Sequence, residues 1–358
     1  MRSRSGAIIK NTKFLKSAFG RRYLPYIFTR GKKSNFPLTT HIGVLRRTLS
    51  IQSQCNFLPI NSIAISSYYT LHGKFNNNFP YSDGIKLVCS AFNSNPKKFR
   101  KKVRHIRLCE SDMVDKCWVK AARLGVKKKY DILIITEFSN KGVKCKGLST
   151  LGLIEDIIRE FNLSVAILDY GSKQKRRKAS KNGHHGSFIK EINDIVTRNP
   201  SIKLFRSPGK HYVMNQKKLN QLMQSSRVLL CGNTNDASPK IITEAIIRGL
   251  PVLLNKNILG GQKYINEENG ILYDGSETPK DLYDKYNYFK ECLFSAIEKS
   301  MLVNYDEDDI INYYYKHWGL KKTSRKLAKY LNKTFNCNFK YAFYPQFRPY
   351  FKHRKIRI

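Results

Sequence analysis

The first 82 residues of this 358-residue chain contain no aspartate and no glutamate, against 13 lysines and arginines, and Asp83 is the first carboxylate. Such a segment has no acids with which to pair its cations, which excludes a self-neutralised surface there. A start rich in Arg and Ser and free of acids is also the composition of an organelle transit peptide, so targeting is one reading of it. Acids are scarce throughout: 26 Asp+Glu face 66 Lys+Arg, a formal net charge of +40. No fold needs that surplus, and it points to anionic partners, either a membrane surface or a nucleic acid.

Long apolar runs are missing as well. No stretch reaches the ~18–20 uninterrupted apolar residues that cross a bilayer, and the N-terminus lacks the apolar segment of a secretory signal. The eight cysteines, at 55, 89, 109, 117, 145, 231, 292 and 337, include no Cys-x-x-Cys pair, and His184-His185 has no cysteines at zinc-finger spacing. A zinc-finger framework is therefore excluded. The thiols read as reduced and the chain as intracellular, either cytoplasmic or peripheral to a membrane, with organelle targeting the alternative.

What is present begins with an ordinary hydrophobic share of 41% and a length that suits two domains. Residues 1–82 form a basic, acid-free segment, expected to be disordered in part. Within it Ile60–Leu71 reads as strand-forming, as does Ile85–Phe92 beyond it. The block Lys97–Arg107 is basic, and Met113–Leu124 reads as a helix.

From Tyr130 apolar runs alternate with amphipathic stretches. Strands are predicted at Ile132–Thr136, Val165–Leu168, Ile202–Phe205, Val228–Cys231 and Pro251–Leu254. Helices are predicted at Leu148–Glu160, Phe188–Thr197, Lys217–Gln224 and Ile241–Arg248. That alternation indicates an α/β fold, a Rossmann-like parallel sheet flanked by helices. Three closing helices follow at Pro279–Ser300, Glu307–His317 and Ser324–Asn332. Residues 336–358 are a basic, aromatic, proline-containing tail that suits an extended segment.

The informative stretch runs from Val228 to Asp274. A buried strand there ends in the polar loop Gly232–Ser238; Pro239 then fits a first helical turn, and the helix carries Glu244. Ligands of open α/β sheets bind outside the carboxyl ends of strands, where this loop falls. Asp236 and Glu244 are separated by seven residues, which puts one carboxylate in the loop and the other about two turns into the helix. Asp236 also suits an N-cap. Gly249-Leu-Pro stops the helix, and Gly260-Gly261 provides a second loop or a simple turn.

These residues carry a resemblance. An acidic residue, two residues, a proline, four residues and Glu-Ala, then Gly-x-Pro-Val, Gly-Gly and Glu-Asn-Gly-Ile-Leu-Tyr-Asp, is similar to the nucleotide-sugar-binding half of retaining family 4 (group 1) glycosyltransferases of the GT-B fold. The resemblance covers about 200 residues, 130–335 in domain terms. It implies that Asp236 lies by the donor sugar and that Glu244 hydrogen-bonds the ribose, the two together forming the catalytic pair. It also implies a diphosphate held by Lys141 and by Lys146-Gly147 in the loop after the first strand, with Ser238 on the donor side. Cations there stabilise the departing diphosphate as charge develops on it. Without the resemblance, Lys141 and Lys146 are solvated lysines among many.

The chain departs from the family in two respects. Residues 83–129 make a short, divergent acceptor-side region with no Gly-Gly-x-x-x-His opening, and His41, His72 and His105 match no family pattern. Asp236 also stands where the family has glutamate, one methylene longer.

The function implied is that of a nucleotide-sugar-dependent glycosyltransferase of hexosyltransferase type, transferring a sugar with retention to a glycan, protein or lipid acceptor. It implies neither a metal nor a cofactor beyond the donor itself. The competing reading is a basic nucleic-acid-binding protein that uses a degenerate GT-B-like domain as scaffold. In that reading Lys97–Arg107, Lys173–Lys181 and the aromatic tail contact phosphates and bases.

Overall fold

The structure is a computed structural model of the whole chain. It describes residues 2–3, 6–9, 27–29, 39–42, 62–65, 85–90 and 339–341, and 104–335 apart from 109, 120, 122–123, 140–141, 144–145, 172–182, 207–215, 235 and 237–238. The chain divides into two compact units, Met1–Trp118 with Tyr315–Ile358, and Val119–Tyr314.

The first unit holds strands β1 (Arg2–Ser3), β2 (Gly6–Ile9), β3 (Ile27–Thr29), β4 (Thr39–Ile42), β5 (Ser62–Ile65), β6 (Ile85–Ser90) and β7 (Arg104–Arg107). Six of them form one sheet in the order β1-β2-β4-β5-β6-β7, parallel from β4 to β7. Strand β5 falls within the run expected over Ile60–Leu71, and the last four residues of the basic block form β7. Along β7 Ile106 is buried and Arg107 exposed, the period-2 pattern of a strand with one covered face.

The second unit is built on a parallel sheet of β8 (Tyr130–Thr136), β9 (Val165–Asp169), β10 (Ile202–Arg206), β11 (Ser226–Cys231), β12 (Val252–Asn255) and β13 (Gly270–Tyr273). Its order is β10-β9-β8-β11-β12-β13. Ile132 of β8 pairs with Val165 of β9 on one side and with Val228 of β11 on the other.

Strands covered on both faces need apolar side chains in both directions, and this explains continuous runs such as ILII in β8 and VAIL in β9. Ile132, Leu133, Val165, Ala166 and Ile167 have no exposed surface. Each such large side chain contributes about 1.5–3 kcal/mol through burial.

Helices cover the sheet: α1 (Leu151–Phe161), α2 (Gly183–Arg198), α3 (Gln216–Gln224), α4 (Lys240–Ile246), α5 (Pro279–Asp284) and α6 (Tyr286–Leu302). Helix α1 buries Leu151, Ile154 and Ile158, with Leu153 and Ile157 alongside, the spacing of one helical stripe. It ends on Asn162 in the left-handed region, φ 51°. Phe161 stacks on Phe294 of α6 at 4.1 Å between ring centres. Helices α7 (Glu307–His317) and α8 (Gly319–Phe335) close the fold, and β14 (Phe339–Tyr341) pairs antiparallel with β3.

Several expectations are corrected. The helix expected over Pro279–Ser300 is two, because Lys285 leaves helical geometry at φ −128°, ψ 38°. Thr278 caps the first piece by accepting from the Asp281 N–H at 3.2 Å. Met113–Leu124 is not one helix. It holds a 3-10 turn, Glu110–Met113, and a four-residue helix, Lys116–Val119, while residues 124–129 have no regular structure and Gly125 among them sits at φ +57°. His184-His185 lies in the first turn of α2. Gly270–Tyr273, read only as part of a motif, is the edge strand β13. The run Lys173–Lys181 and most of the aromatic tail lie outside the described residues.

Among the described residues no helix is long and apolar enough to cross a membrane.

Candidate functional site

The strand order of the second unit reverses direction between β8 and β11: the chain moves outward through β9 and β10, then returns to β11 on the other side of β8. At such a switch point the loops leaving two adjacent strands diverge and open a crevice at their carboxyl ends. The loop after β8 carries Lys146 and Gly147, and the loop after β11 carries Asp236.

The β8 loop folds back on its own strand. Ser139 N–H donates to the Glu137 carbonyl at 2.7 Å, Val143 N–H to Ser139 at 3.0 Å, and Lys146 N–H to Gly142 at 3.0 Å. Thr136 Oγ1, at the end of β8, donates to the Lys146 carbonyl at 2.8 Å, holding this lysine over the strand end. Gly147 follows at φ +70°, and a Cβ there would lie 2.7 Å from the Gly232 carbonyl carbon. Gly232 is as tightly placed, since its own Cβ would sit 2.1 Å from Thr150 Oγ1. Two glycines thus let the two loops touch backbone to backbone.

That contact brings Lys146 Nζ onto Asp236 Oδ2, an ion pair between residues 90 apart in sequence. Asn233 Nδ2 also donates to the same oxygen at 3.3 Å. The lysine and aspartate side chains retain 18% and 13% of their exposure, so both reach the crevice without being open to bulk water. The Gly-Gly loop closes the far side: Leu259 N–H donates to the Thr234 carbonyl at 3.0 Å and Gly260 N–H to the Asp236 carbonyl at 3.1 Å. Gly261 packs on Pro239 and Ile242, where a Cβ would come within 2.8 Å. Gly260-Gly261 is therefore more than a simple turn.

The N-cap position of α4 is Pro239, three residues beyond Asp236. Glu244 lies in α4 and is 8% exposed. Its backbone carbonyl accepts from Arg248 Nη1 at 2.6 Å. The structure thus unites Lys146, Gly147 and Asp236 and sets Glu244 in the helix that follows; Lys141 and Ser238 lie outside the described residues.

Three groups were not singled out from sequence. Arg248 is 2% exposed and also donates to Asn220 Oδ1 at 3.1 Å, the Val119 carbonyl at 2.8 Å and Gln216 Oε1 at 2.9 Å. It ties the last turn of the Glu244 segment to α3. The signal was available: one arginine in the apolar run AIIRGLPVLL must be paired to be buried. Asp169, unexposed at the end of β9, accepts from the Phe138 N–H at 3.1 Å and the Gly171 N–H at 2.8 Å.

At the end of β13, Asp274 is held by Lys256 at 2.8 Å and by the Tyr288 hydroxyl at 2.8 Å. The Lys256 ammonium, first among its neighbours, holds the Asp274 carboxyl below its ordinary range, and the carboxylate beside Tyr288 pushes that phenol up to about 12. Burial pushes the Cys231 thiol, beneath the Asp236 loop, up to about 12.

Among the described residues no three His, Cys, Asp or Glu side chains are grouped to hold a metal. The acidic run Asp306-Glu307-Asp308-Asp309 is in part a helix cap, with Asp306 Oδ1 accepting from the Asp308 and Asp309 N–H groups.

No protein family and no curated protein matches the chain. Solved structures do. Sucrose-phosphate synthase from Thermosynechococcus elongatus is similar with a TM-score of 0.54 at 11% identity, over 85% of this chain and 75% of that one. The pneumococcal O-GlcNAc transferase GtfA, in complex with UDP and GlcNAc, gives 0.51 at 12% identity, over 87% and 70%. The lipopolysaccharide outer core galactosyltransferase WaaB gives 0.50 at 14% identity, over 77% and 68%. At these identities the likeness is one of fold and does not single out family 4; the fold is that of the GT-B glycosyltransferases.

Proposed function

We propose that the chain binds a nucleotide diphosphate sugar in the crevice between the ends of β8 and β11 and transfers the sugar, with retention, to an acceptor. The observation that carries this reading is the meeting of Lys146 and Asp236 at the switch point. A cation that can face a diphosphate and an acid that can face a sugar stand together where parallel sheets bind nucleotides. In this assignment Lys146, with Lys141, neutralises the leaving diphosphate. Asp236 lies against the donor sugar, and Glu244 accepts from the ribose hydroxyls. The sugar is a hexose and the acceptor a glycan, protein or lipid.

Calorimetric titration of the full chain with UDP, GDP, ADP and their hexose conjugates tests this, with Glu244→Ala alongside. Saturable binding of one nucleotide class, weakened at least tenfold by Glu244→Ala at unchanged thermal stability, is the expected result. Absence of nucleotide binding by a protein that melts cooperatively overturns it.

A further inference from the structure

Helix α8 carries lysine or arginine at 321, 322, 325, 326, 329 and 333 and no acidic residue along its 17 positions. All six cations are exposed, and every exposed residue among those described in α8 is one of them. At 100° per residue they fall within an arc of about 140°, and at about 1.5 Å per residue they extend over roughly 18 Å of the axis. Thr323, which falls outside that arc, is buried, and its Oγ1 donates to the Asp112 carbonyl at 2.7 Å within the same unit. That bond fixes the rotation of the helix and turns the cations outward.

Four like-charge pairs stand one turn apart: 321 with 325, 325 with 329, 329 with 333, and 322 with 326. Each opposes helix formation. A bound anion removes the opposition, and its shape is set by the row. A mono- or diphosphate engages one or two cations, whereas only an extended polyanion engages six along 18 Å, roughly.

A bilayer fits less well than a nucleic acid. Interfacial helices insert large apolar side chains on the lipid side. The exposed large apolar residues among those described, Leu124, Val126, Leu272, Tyr283, Tyr288, Leu302 and Val303, all lie outside α8. We infer that the exposed face of α8 is a docking surface for the phosphodiester backbone of a nucleic acid, read by charge and not by sequence. This surface is independent of the proposed donor site.

The test is fluorescence anisotropy of the full chain with a labelled uridine oligonucleotide of about 20 residues, titrated between about 50 and 200 mM KCl. Each phosphate neutralised on a single strand contributes about 0.7 to the slope of log K against log salt. The variant Lys321→Gln, Arg325→Gln, Lys329→Gln, Lys333→Gln is therefore expected to lower the slope by about 2–3. Lys190→Gln, Lys203→Gln, Lys280→Gln, Lys299→Gln removes the same charge from exposed positions elsewhere and is expected to change it by less than about 1.

Glutamine keeps helix propensity, so the α8 variant is expected to melt no lower than the parent. If it does unfold, Lys322→Gln with Lys326→Gln reads the same face, with an expected fall of about 1.4. Equal changes in the two quadruple variants, or an unchanged slope in the α8 variants, overturn the inference. So does loss of binding to phosphatidylserine vesicles with oligonucleotide binding intact.

Discussion

Replacing Asp236 by asparagine is expected to tighten nucleoside diphosphate binding while abolishing sugar transfer. Lys146 Nζ already donates to Asp236 Oδ2, so an arriving diphosphate must take the ammonium from a carboxylate and then sit beside that carboxylate's charge. A hydrogen bond between ionised partners contributes about 1.5–3 kcal/mol and a neutral one about half that. Asparagine, which keeps an oxygen for Asn233 and for Lys146, therefore releases about 1 kcal/mol on the lysine side.

Removing the repulsion adds a comparable amount, since unit charges about 6 Å apart interact by roughly 2–3 kcal/mol at an effective dielectric of 20 and less where water enters. The total, about 2 kcal/mol, corresponds to roughly thirty-fold tighter binding. Calorimetry of the parent, Asp236→Asn, Lys146→Ala and the double variant with the nucleotide that binds best closes a thermodynamic cycle. Lys146→Ala is expected to weaken binding, and Asp236→Asn to keep only the benefit of removed repulsion once the lysine is gone, so the two changes are not additive. If Asp236→Asn binds no better than the parent while melting at the same temperature, the ion pair does not compete with the ligand and the reasoning fails.

Further outcomes follow from the same geometry. Gly147→Ala combines a left-handed backbone with a Cβ 2.7 Å from Gly232, and is expected to destabilise the protein by about 2–3 kcal/mol. Denaturant melts read that loss directly. Arg248→Met strands the acceptors at Asn220, Gln216, Val119 and Glu244 and is expected to cost about 3 kcal/mol, with Arg248→Lys recovering only part because one ammonium lacks the guanidinium's fork.

Burial raises the Cys231 thiol from 9.0 to about 12, so it keeps its proton between pH 7 and 9 as long as the protein is folded. Iodoacetamide labelling read by mass spectrometry is expected to miss Cys231 in the native state and to modify it in denaturant. The contribution to stability is complete below the unfolded thiol's pKa and is lost as pH rises from about 9 toward 12.

The sheet was legible because its strands are buried on both faces, and such strands must be written as unbroken apolar runs. The 3.6-residue stripe of α1 was equally plain. What escaped was decided by single backbone geometries or distant partners. Nothing in the sequence around Lys285 marks the departure from helical φ and ψ that divides α5 from α6. The edge strand β13 has only four residues, of which Gly270 and Tyr273 are buried, too short for a pattern to emerge.

The carboxylate in the β11 loop and the lysine in the β8 loop were singled out through the resemblance that their motifs carry. Their contact depends on Gly147 and Gly232 lying against each other across two strands, which no local pattern encodes. The role of Arg248 depends likewise on acceptors up to 129 residues away.

The order β10-β9-β8-β11-β12-β13 also governs how the second unit is made. Strand β8 is central in the finished sheet, yet its β11 neighbour begins 96 residues later, at Ser226 against Tyr130. At about 5–20 residues per second, a nascent chain waits roughly 5–20 s between the emergence of the two. Throughout that interval β8, with its apolar run ILII, is an unprotected edge whose N–H and C=O groups can recruit another chain. The architecture that places two loops side by side thus makes aggregation during synthesis the hazard of this protein, with chaperone demand concentrated between the translation of residues 136 and 231.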